Sequence, residues 1–209
     1  MDKPREAELL VLIGIGGSAG SLQALFEFFA ALPRIRGATF VIVVHQDPRL
    51  RTRIPELLRR RTTYPVLLIE AGTKIEPERI YVAPPAATVG IEHGTFTLTP
   101  FASWRERARR IDAFFRAAAA SFGRRAVAIV LSGGGTDGSE GIRAIAAESG
   151  LTMAQAPASA QHRSMPEAAI ATGAVKHVMP PAHLPAVLVS ELQPAAADGA
   201  VAEYEYTVA

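Results

Sequence analysis

Runs of valine, isoleucine and leucine recur at residues 9–15, 38–44, 66–69, 80–83, 126–131 and 174–179, with 151–155 a weaker example. Short continuous apolar runs of this kind predict strands buried on both faces. Between them, apolar residues return at helical spacing over 22–32, 54–61, 111–122, 139–148 and 166–172. Strands alternating with helices predict an α/β fold: a doubly wound, mostly parallel sheet with helices on both faces. One segment breaks the pattern. At 88–91 and 95–98 apolar and polar residues alternate around Glu92-His93-Gly94, which predicts an antiparallel hairpin at the edge of the sheet. From Pro194 the alanine-rich stretch has no period, so the expected division is one domain over 1–193 and a tail or linker stub over 194–209.

A chain of 209 residues, 49% of them hydrophobic, can bury one sizeable core. Its net charge of +2 gives no argument for nucleic acid as a partner. The absence of cysteine excludes disulfides, a thiolate nucleophile and a thiolate-bound metal, and fits a cytoplasmic setting. Residues 1–8 show no secretory h-region, and no apolar run reaches membrane-spanning length, so no membrane insertion is expected. The five histidines include no pair at ligand spacing with an acidic partner, and neither a metal nor another cofactor is expected.

Three predicted strand ends carry chemistry. The first runs into Gly14-Ile15-Gly16-Gly17-Ser18-Ala19-Gly20-Ser21, then an apolar helix. Ser18 on such a turn has the logic of a nucleophile elbow, where small neighbours admit a carbonyl and free N–H groups can hold an oxyanion. The same run also matches the dinucleotide fingerprint G-x-G-x-x-G/A. That alternative wants an acidic residue at the tip of the second strand. The tip reads Val44-His45-Gln46-Asp47-Pro48, with a histidine, which suits a general base. The third site follows the strand at 126–131: Ser132-Gly133-Gly134-Gly135-Thr136-Asp137-Gly138. Asp137 reads either as the N-cap of the next helix or as part of a site. In a parallel open sheet the C-terminal strand ends share one rim, so Ser18, His45 and Asp137 can converge there.

These motifs resemble the catalytic domain of the chemotaxis receptor methylesterases, the CheB family, over roughly residues 9–188. The likeness extends to Tyr81-Val82-Ala83-Pro84-Pro85, Ile111-Asp112-Ala113-Phe114-Phe115 and Met165-Pro166-Glu167-Ala168-Ala169-Ile170. The resemblance implies a serine hydrolase that demethylates glutamate methyl esters on chemoreceptors and can deamidate glutamines, without a cofactor. It implies Ser18 as nucleophile, His45 as its base and Asp137 as the orienting carboxylate. The backbone N–H groups of Ala19 and Gly134 then form the oxyanion hole, and Gly135 and Met165 contact substrate. Implied partners are the methylated cytoplasmic helices of a receptor. Family members commonly show Gly-Gly where this chain has Gly20-Ser21, glutamine before the histidine where it has Val44, and glycine where it has Ser164. The family usually carries an N-terminal receiver domain, for which a first strand at about residue 9 leaves no room. A free-standing enzyme, or a piece of a fusion with a receiver or methyltransferase domain, is therefore expected.

Other polar residues divide between site and surface. His93, His177 and His183 are expected to be structural or solvated; the loop holding His162 should approach the same rim. Arg59-Arg60-Arg61 and the group Arg105, Arg107, Arg109 and Arg110 suit an acidic receptor helix or simply a solvated face. Two rival functions remain at this stage: a catalytically weak receptor- or partner-binding domain of the same fold, and a dinucleotide-binding oxidoreductase.

Overall fold

The structure, a computed structural model, describes residues 10–192. The expected tail at 194–209 lies outside the described residues. In chain order the strands are β1 (Val11–Gly17), β2 (Ala38–Val44), β3 (Val66–Leu68), β4 (Ile80–Val82), β5 (Ala87–Glu92), β6 (Thr95–Pro100), β7 (Ala126–Val130), β8 (Leu151–Gln155) and β9 (His177–Met179). Seven of them form one sheet in the order β3-β4-β2-β1-β7-β8-β9, with every pairing parallel. The helices are α1 (Ser21–Ala31), α2 (Ile54–Leu58), α3 (Trp104–Arg107), α4 (Arg110–Phe122), α5 (Ser139–Ala147), α6 (Ser164–Ile170) and α7 (Leu184–Leu192).

The strand pleat sorts the core into two layers. Ile13 and Ile15 of β1 enter one layer with Phe28 of α1, Leu58 of α2 and Leu188 of α7. Leu12 enters the other with Phe114 and Phe115 of α4, Ile142 of α5 and Met165 of α6. Burial of each such aromatic or branched side chain stabilises the fold by roughly 1.5–3 kcal/mol. Gly14 and Gly16 alternate with the isoleucines and face α4. A Cβ at Gly14 would lie 2.9 Å from Phe115 Cε1, and one at Gly16 only 2.4 Å from Ile111 Cγ2. These two glycines of the dinucleotide-like fingerprint therefore let a helix approach the sheet.

Several elements differ in extent from the sequence pattern. β1 runs on through Gly16 and Gly17 because both still pair, with Val43 and Val44. The hairpin β5–β6 forms a two-stranded sheet of its own rather than extending the main ladder's edge. It packs through Val89 and Phe96 into the second core layer, with the Phe96 ring 4.9 Å from that of Tyr81. Helix α7 follows a proline-rich stretch that reads as loop; Pro185 is accommodated in the first helical turn, where its missing N–H has no partner to lose.

Candidate functional site

Ser18, His45 and the segment 131–138 all follow C-terminal ends of adjacent strands, at the point where the chain's progression across the sheet reverses between β1 and its neighbours. The Ser18 N–H donates to Ser132 O at 2.9 Å, and Ser18 O accepts from Ser21 N at 3.0 Å, so the serine backbone is fixed on both sides. The His45 N–H donates to Gly17 O at 3.1 Å, continuing the β1–β2 ladder by one step. That step puts His45 at the strand tip beside Ser18.

The His45 imidazole meets Asp137, its Nε2 lying 2.8 Å from Oδ2. A carboxylate only accepts, so Nε2 carries the hydrogen and Nδ1 keeps its lone pair. The Asp137 side chain is 2% exposed, and each of its oxygens accepts from a backbone N–H. Oδ2 also accepts from Ile111 N and Oδ1 from Asp112 N, each at 2.9 Å. These are otherwise unpaired N–H groups in the first turn of α4. Asp137 thus caps α4, not the helix that follows it. Asp112 makes the reverse connection: its Oδ1 accepts from Gly138 N at 2.9 Å and Gly141 N at 2.8 Å, at the start of α5. Burial pushes the Asp112 carboxyl above its ordinary range; the Gly141 N–H opposes this and the charge of Asp137 adds to it.

Behind the pair lies Arg110, which is 1% exposed. Its guanidinium donates to Pro84 O at 2.6 Å, Pro85 O at 3.2 Å and Ala87 O at 3.3 Å, tying the entry to the hairpin to the first turn of α4. Burial lowers its pKa to about 10, opposed by the negative charge of Asp137.

Ser18 borders the same loop. A Cβ on Gly133 would lie 3.0 Å from Ser18 Cβ and 2.6 Å from the Sδ of the buried Met165. The expected hydrogen bond from Ser18 to His45 is not formed: Ser18 Oγ has no hydrogen-bond partner among the described residues. The N–H groups of Ala19 and Gly134 are likewise unpartnered among them, and both residues are exposed. Gly135 is exposed and lines a cavity beside His45 and Asp137. His162 reaches the rim through its backbone only, donating to Ser132 Oγ at 3.0 Å and accepting from Gly133 N at 3.0 Å. His177 pairs with Glu191 at 2.7 Å, away from this rim.

Sequence reasoning missed the residue that holds these loops together. Ser132 donates from its N–H to Gln155 Oε1 at 2.8 Å and from its hydroxyl to Ala19 O at 2.9 Å, besides receiving the Ser18 and His162 N–H groups. The available signal was polarity at the ends of two otherwise apolar runs, Ser132 and Gln155.

The family model for CheB methylesterase matches residues 13–188. The chain belongs to the CheB methylesterase family. It is 30% identical over 178 residues to a protein-glutamate methylesterase/protein-glutamine glutaminase of Hahella chejuensis, covering 85% of this chain and 51% of that protein. A protein of the same description from Anaeromyxobacter dehalogenans is 34% identical over 179 residues, covering 82% and 51%. An uncharacterized 104.1 kDa protein of Rhodobacter capsulatus is 42% identical over 117 residues, or 56% of this chain and 12% of that one. The chain therefore spans about half the length of the two methylesterases. The crystal structure of the Thermotoga maritima CheB methylesterase catalytic domain superposes with a TM-score of 0.81 at 24% identity, covering 87% of this chain and 98% of that one, so the fold is shared.

In this CheB-family chain the cavity beside the His45–Asp137 pair has a volume of about 650 Å³ and is lined also by Trp104, Arg105, Arg107 and Arg109. Among the described residues no helix is long and apolar enough to cross a membrane. A half-exposed serine with an unpartnered hydroxyl, an imidazole with one free lone pair, a buried carboxylate and free backbone N–H groups on one rim are the components of acyl transfer.

Proposed function

We propose that this CheB-family chain is the hydrolytic domain of a protein-glutamate methylesterase, with Ser18 as nucleophile, His45 as base and Asp137 as the carboxylate that fixes the imidazole. The observation that carries this reading is the 2.8 Å contact between His45 Nε2 and a buried Asp137 held by two backbone N–H groups, with His45 one ladder step from Ser18. With Nε2–H committed to Asp137, Nδ1 is the atom that takes the Ser18 proton once the hydroxyl turns toward it. Ser18 Oγ adds to the ester carbonyl, and the Ala19 and Gly134 N–H groups receive the oxyanion. Collapse of the adduct breaks the bond to methoxide, which leaves as methanol with the proton from His45. Water then attacks the acyl-enzyme, His45 takes its proton and returns it to Ser18, and the glutamate carboxylate is released. No cofactor enters this scheme. Gly135 would border the acyl group, while Met165, fully buried, would back the loop at Gly133 without touching it. A glutamine side chain in the same position would lose ammonia by the same steps.

The substrates we infer are methylated glutamates on cytoplasmic helices of chemoreceptors, which places the reaction in the cytoplasm. The proposed catalytic unit spans 1–193. A receiver or methyltransferase domain in a longer parent protein would supply regulation, consistent with curated methylesterases about twice as long as the matched segment. The test is to incubate the purified chain with receptor carrying radiolabelled methyl groups and to count released methanol. Release is expected from the wild type and is expected to fall by on the order of 10⁴-fold in Ser18→Ala, which removes a single hydroxyl from a half-exposed turn. Release that survives in the folded variant would reject Ser18 as nucleophile.

A further inference from the structure

The group Arg105, Arg107, Arg109 and Arg110 is split by the fold. Arg110 is buried behind Asp137, whereas the other three line the cavity beside His45 and are exposed. Helix α3 that presents Arg105 and Arg107 is closed at its start by a reciprocal pair of bonds: Ser103 Oγ accepts from Glu106 N at 3.2 Å, and Glu106 Oε2 accepts from Ala102 N at 2.8 Å. These two bonds fix the direction of the segment and occupy the carboxylate nearest in sequence to the arginines. The acids that border the cavity, Asp112 and Asp137, show only 3% and 2% of their side chains and are bonded to backbone N–H groups. An entering ligand therefore meets the guanidinium groups of Arg105 and Arg107, with that of Arg109 lying 4.0 Å from Asp112 Oδ2, and the exposed backbone of Gly134 and Gly135. It also meets Trp104, 74% exposed, with the Arg105 guanidinium 5.7 Å from its ring centre. A guanidinium at cation–π distance from an exposed indole keeps its N–H donors free for a carboxylate.

We propose that this cavity is a carboxylate-binding subsite, in which Arg105 and Arg107 read an acidic side chain next to the ester-bearing residue while Trp104 covers the apolar part of the same segment. The occupant is thus an acidic stretch of protein, selected by charge complementarity at the mouth of the site. The subsite rests on the hydrolase reading for its purpose, but its binding is measurable without turnover.

Trp104 is the single tryptophan of the chain, so intrinsic fluorescence reports on this cavity. Two peptides are titrated into the full chain carrying Ser18→Ala: one with a glutamate methyl ester flanked by glutamates, and one with the same ester flanked by alanines. The acidic peptide is expected to change Trp104 emission saturably and to bind roughly fivefold or more tightly, the scale of two exposed charge pairs. The preference is expected to shrink as salt is raised. Arg105→Gln with Arg107→Gln is expected to abolish the preference, whereas Arg124→Gln, at the opposite rim before β7, is expected to retain it. Equal binding of the two peptides, or a preference untouched by the double substitution, would overturn the subsite. Methanol release by the wild type alongside equal binding would sink the subsite alone. Preference without methanol release would sink the hydrolase reading and leave the subsite standing.

Discussion

Asp112 and Asp137 cap each other's helices: Asp137 Oδ1 accepts the Asp112 N–H at 2.9 Å, and Asp112 Oδ1 accepts the Gly138 N–H next to Asp137, also at 2.9 Å. The start of α4 and the loop before α5 are thereby locked as one unit, with His45 attached to it through Asp137. Position of the imidazole is a property of this cross-connection more than of His45 itself, which touches the unit through one hydrogen bond.

Asp112 therefore gives a graded test. Asp112→Ala leaves two buried N–H groups, of Gly138 and Gly141, without acceptors, and unfolding free energy is expected to fall by about 2–4 kcal/mol. Asp112→Asn retains an acceptor oxygen and removes a charge beside Asp137, so its stability at neutral pH is expected within about 1 kcal/mol of wild type. The pH dependence fixes the sign. Burial raises the Asp112 carboxyl pKa in the folded state above the ordinary 3.8, so the folded chain binds a proton that the unfolded chain releases. Relative to Asp112→Asn, the wild type gains stability as pH falls through the raised value, with the gain complete below 3.8, and loses it as pH rises. Urea titrations of both proteins from pH 7 down to pH 3.5 check this; a constant difference would show that Asp112 is not perturbed.

How far the sequence reveals this arrangement depends on the distance over which each interaction acts. The alternation of apolar runs and helical periods exposes the parallel sheet, because strand and helix periodicity are local. Strand-end position likewise singles out Ser18, His45 and Asp137 without contact information. The partner of Asp137 is another matter. Its local cue, an aspartate two residues before a helix, points to capping of α5, whereas the bonds run to Ile111 and Asp112, more than 20 residues earlier. Arg110 sits in a run of exposed arginines and only the packing of the hairpin entry buries it. The antiparallel pairing of β5 and β6 is legible from their turn, but their separation from the main sheet follows from side-chain packing of Val89 and Phe96.

Asp137→Asn separates charge from geometry. An amide can place its oxygen toward His45 and Ile111, leaving its NH2 against the Asp112 N–H, or take the reverse orientation and set NH2 against both His45 Nε2–H and the Ile111 N–H. With the hydrogen on Nε2 the first has one donor–donor contact and the second two, and the second falls to one only if the ring moves its hydrogen to Nδ1; the first, which needs no such change, is expected, with a loss of about 1–3 kcal/mol in stability. The imidazole then keeps its hydrogen on Nε2, and only the negative charge facing the imidazolium is lost. Demethylation is expected to slow by roughly 10²- to 10³-fold, the scale of one preorganised electrostatic partner, rather than by the roughly 10⁴-fold associated with the wrong tautomer. Nitrogen-15 NMR of the histidine ring reads the tautomer directly; a proton moved to Nδ1 would contradict this orientation.

Arg110 tests the link between the hairpin entry and the site. Arg110→Met removes the donors to three carbonyls, of Pro84, Pro85 and Ala87, and stability is expected to drop by about 2–4 kcal/mol. Arg110→Lys restores a charge and some hydrogen bonds without the planar fork, so it should recover part of the loss. Denaturant midpoints measured at constant m-value decide the order; equal stability of Arg110→Met and wild type would mean that the buried guanidinium contributes nothing net.

Gly133→Ala is expected to disable the site while leaving the fold in place. The added methyl would stand 2.6 Å from Met165 Sδ, 2.8 Å from Met165 Cε and 3.0 Å from Ser18 Cβ. Gly133 cannot retreat, since its N–H is bound to His162 O at 3.0 Å and its carbonyl accepts the Met165 N–H at 2.9 Å. Met165 is fully buried against the second core layer, so its thioether can yield only by disturbing neighbours, an effect expected at about 1–3 kcal/mol. Ser18 is less free still, because its N–H is held by Ser132 O. Displacement of its hydroxyl by a fraction of an ångström to one ångström is expected to lower kcat/KM for ester hydrolysis by roughly 10²-fold. Adding Met165→Ala makes room for the methyl on one side and should return part of the lost stability through a favourable coupling between the two substitutions. Activity should stay low in that double variant, because the contact with Ser18 remains; full recovery of kcat/KM would show that Met165, and not the serine, had been displaced.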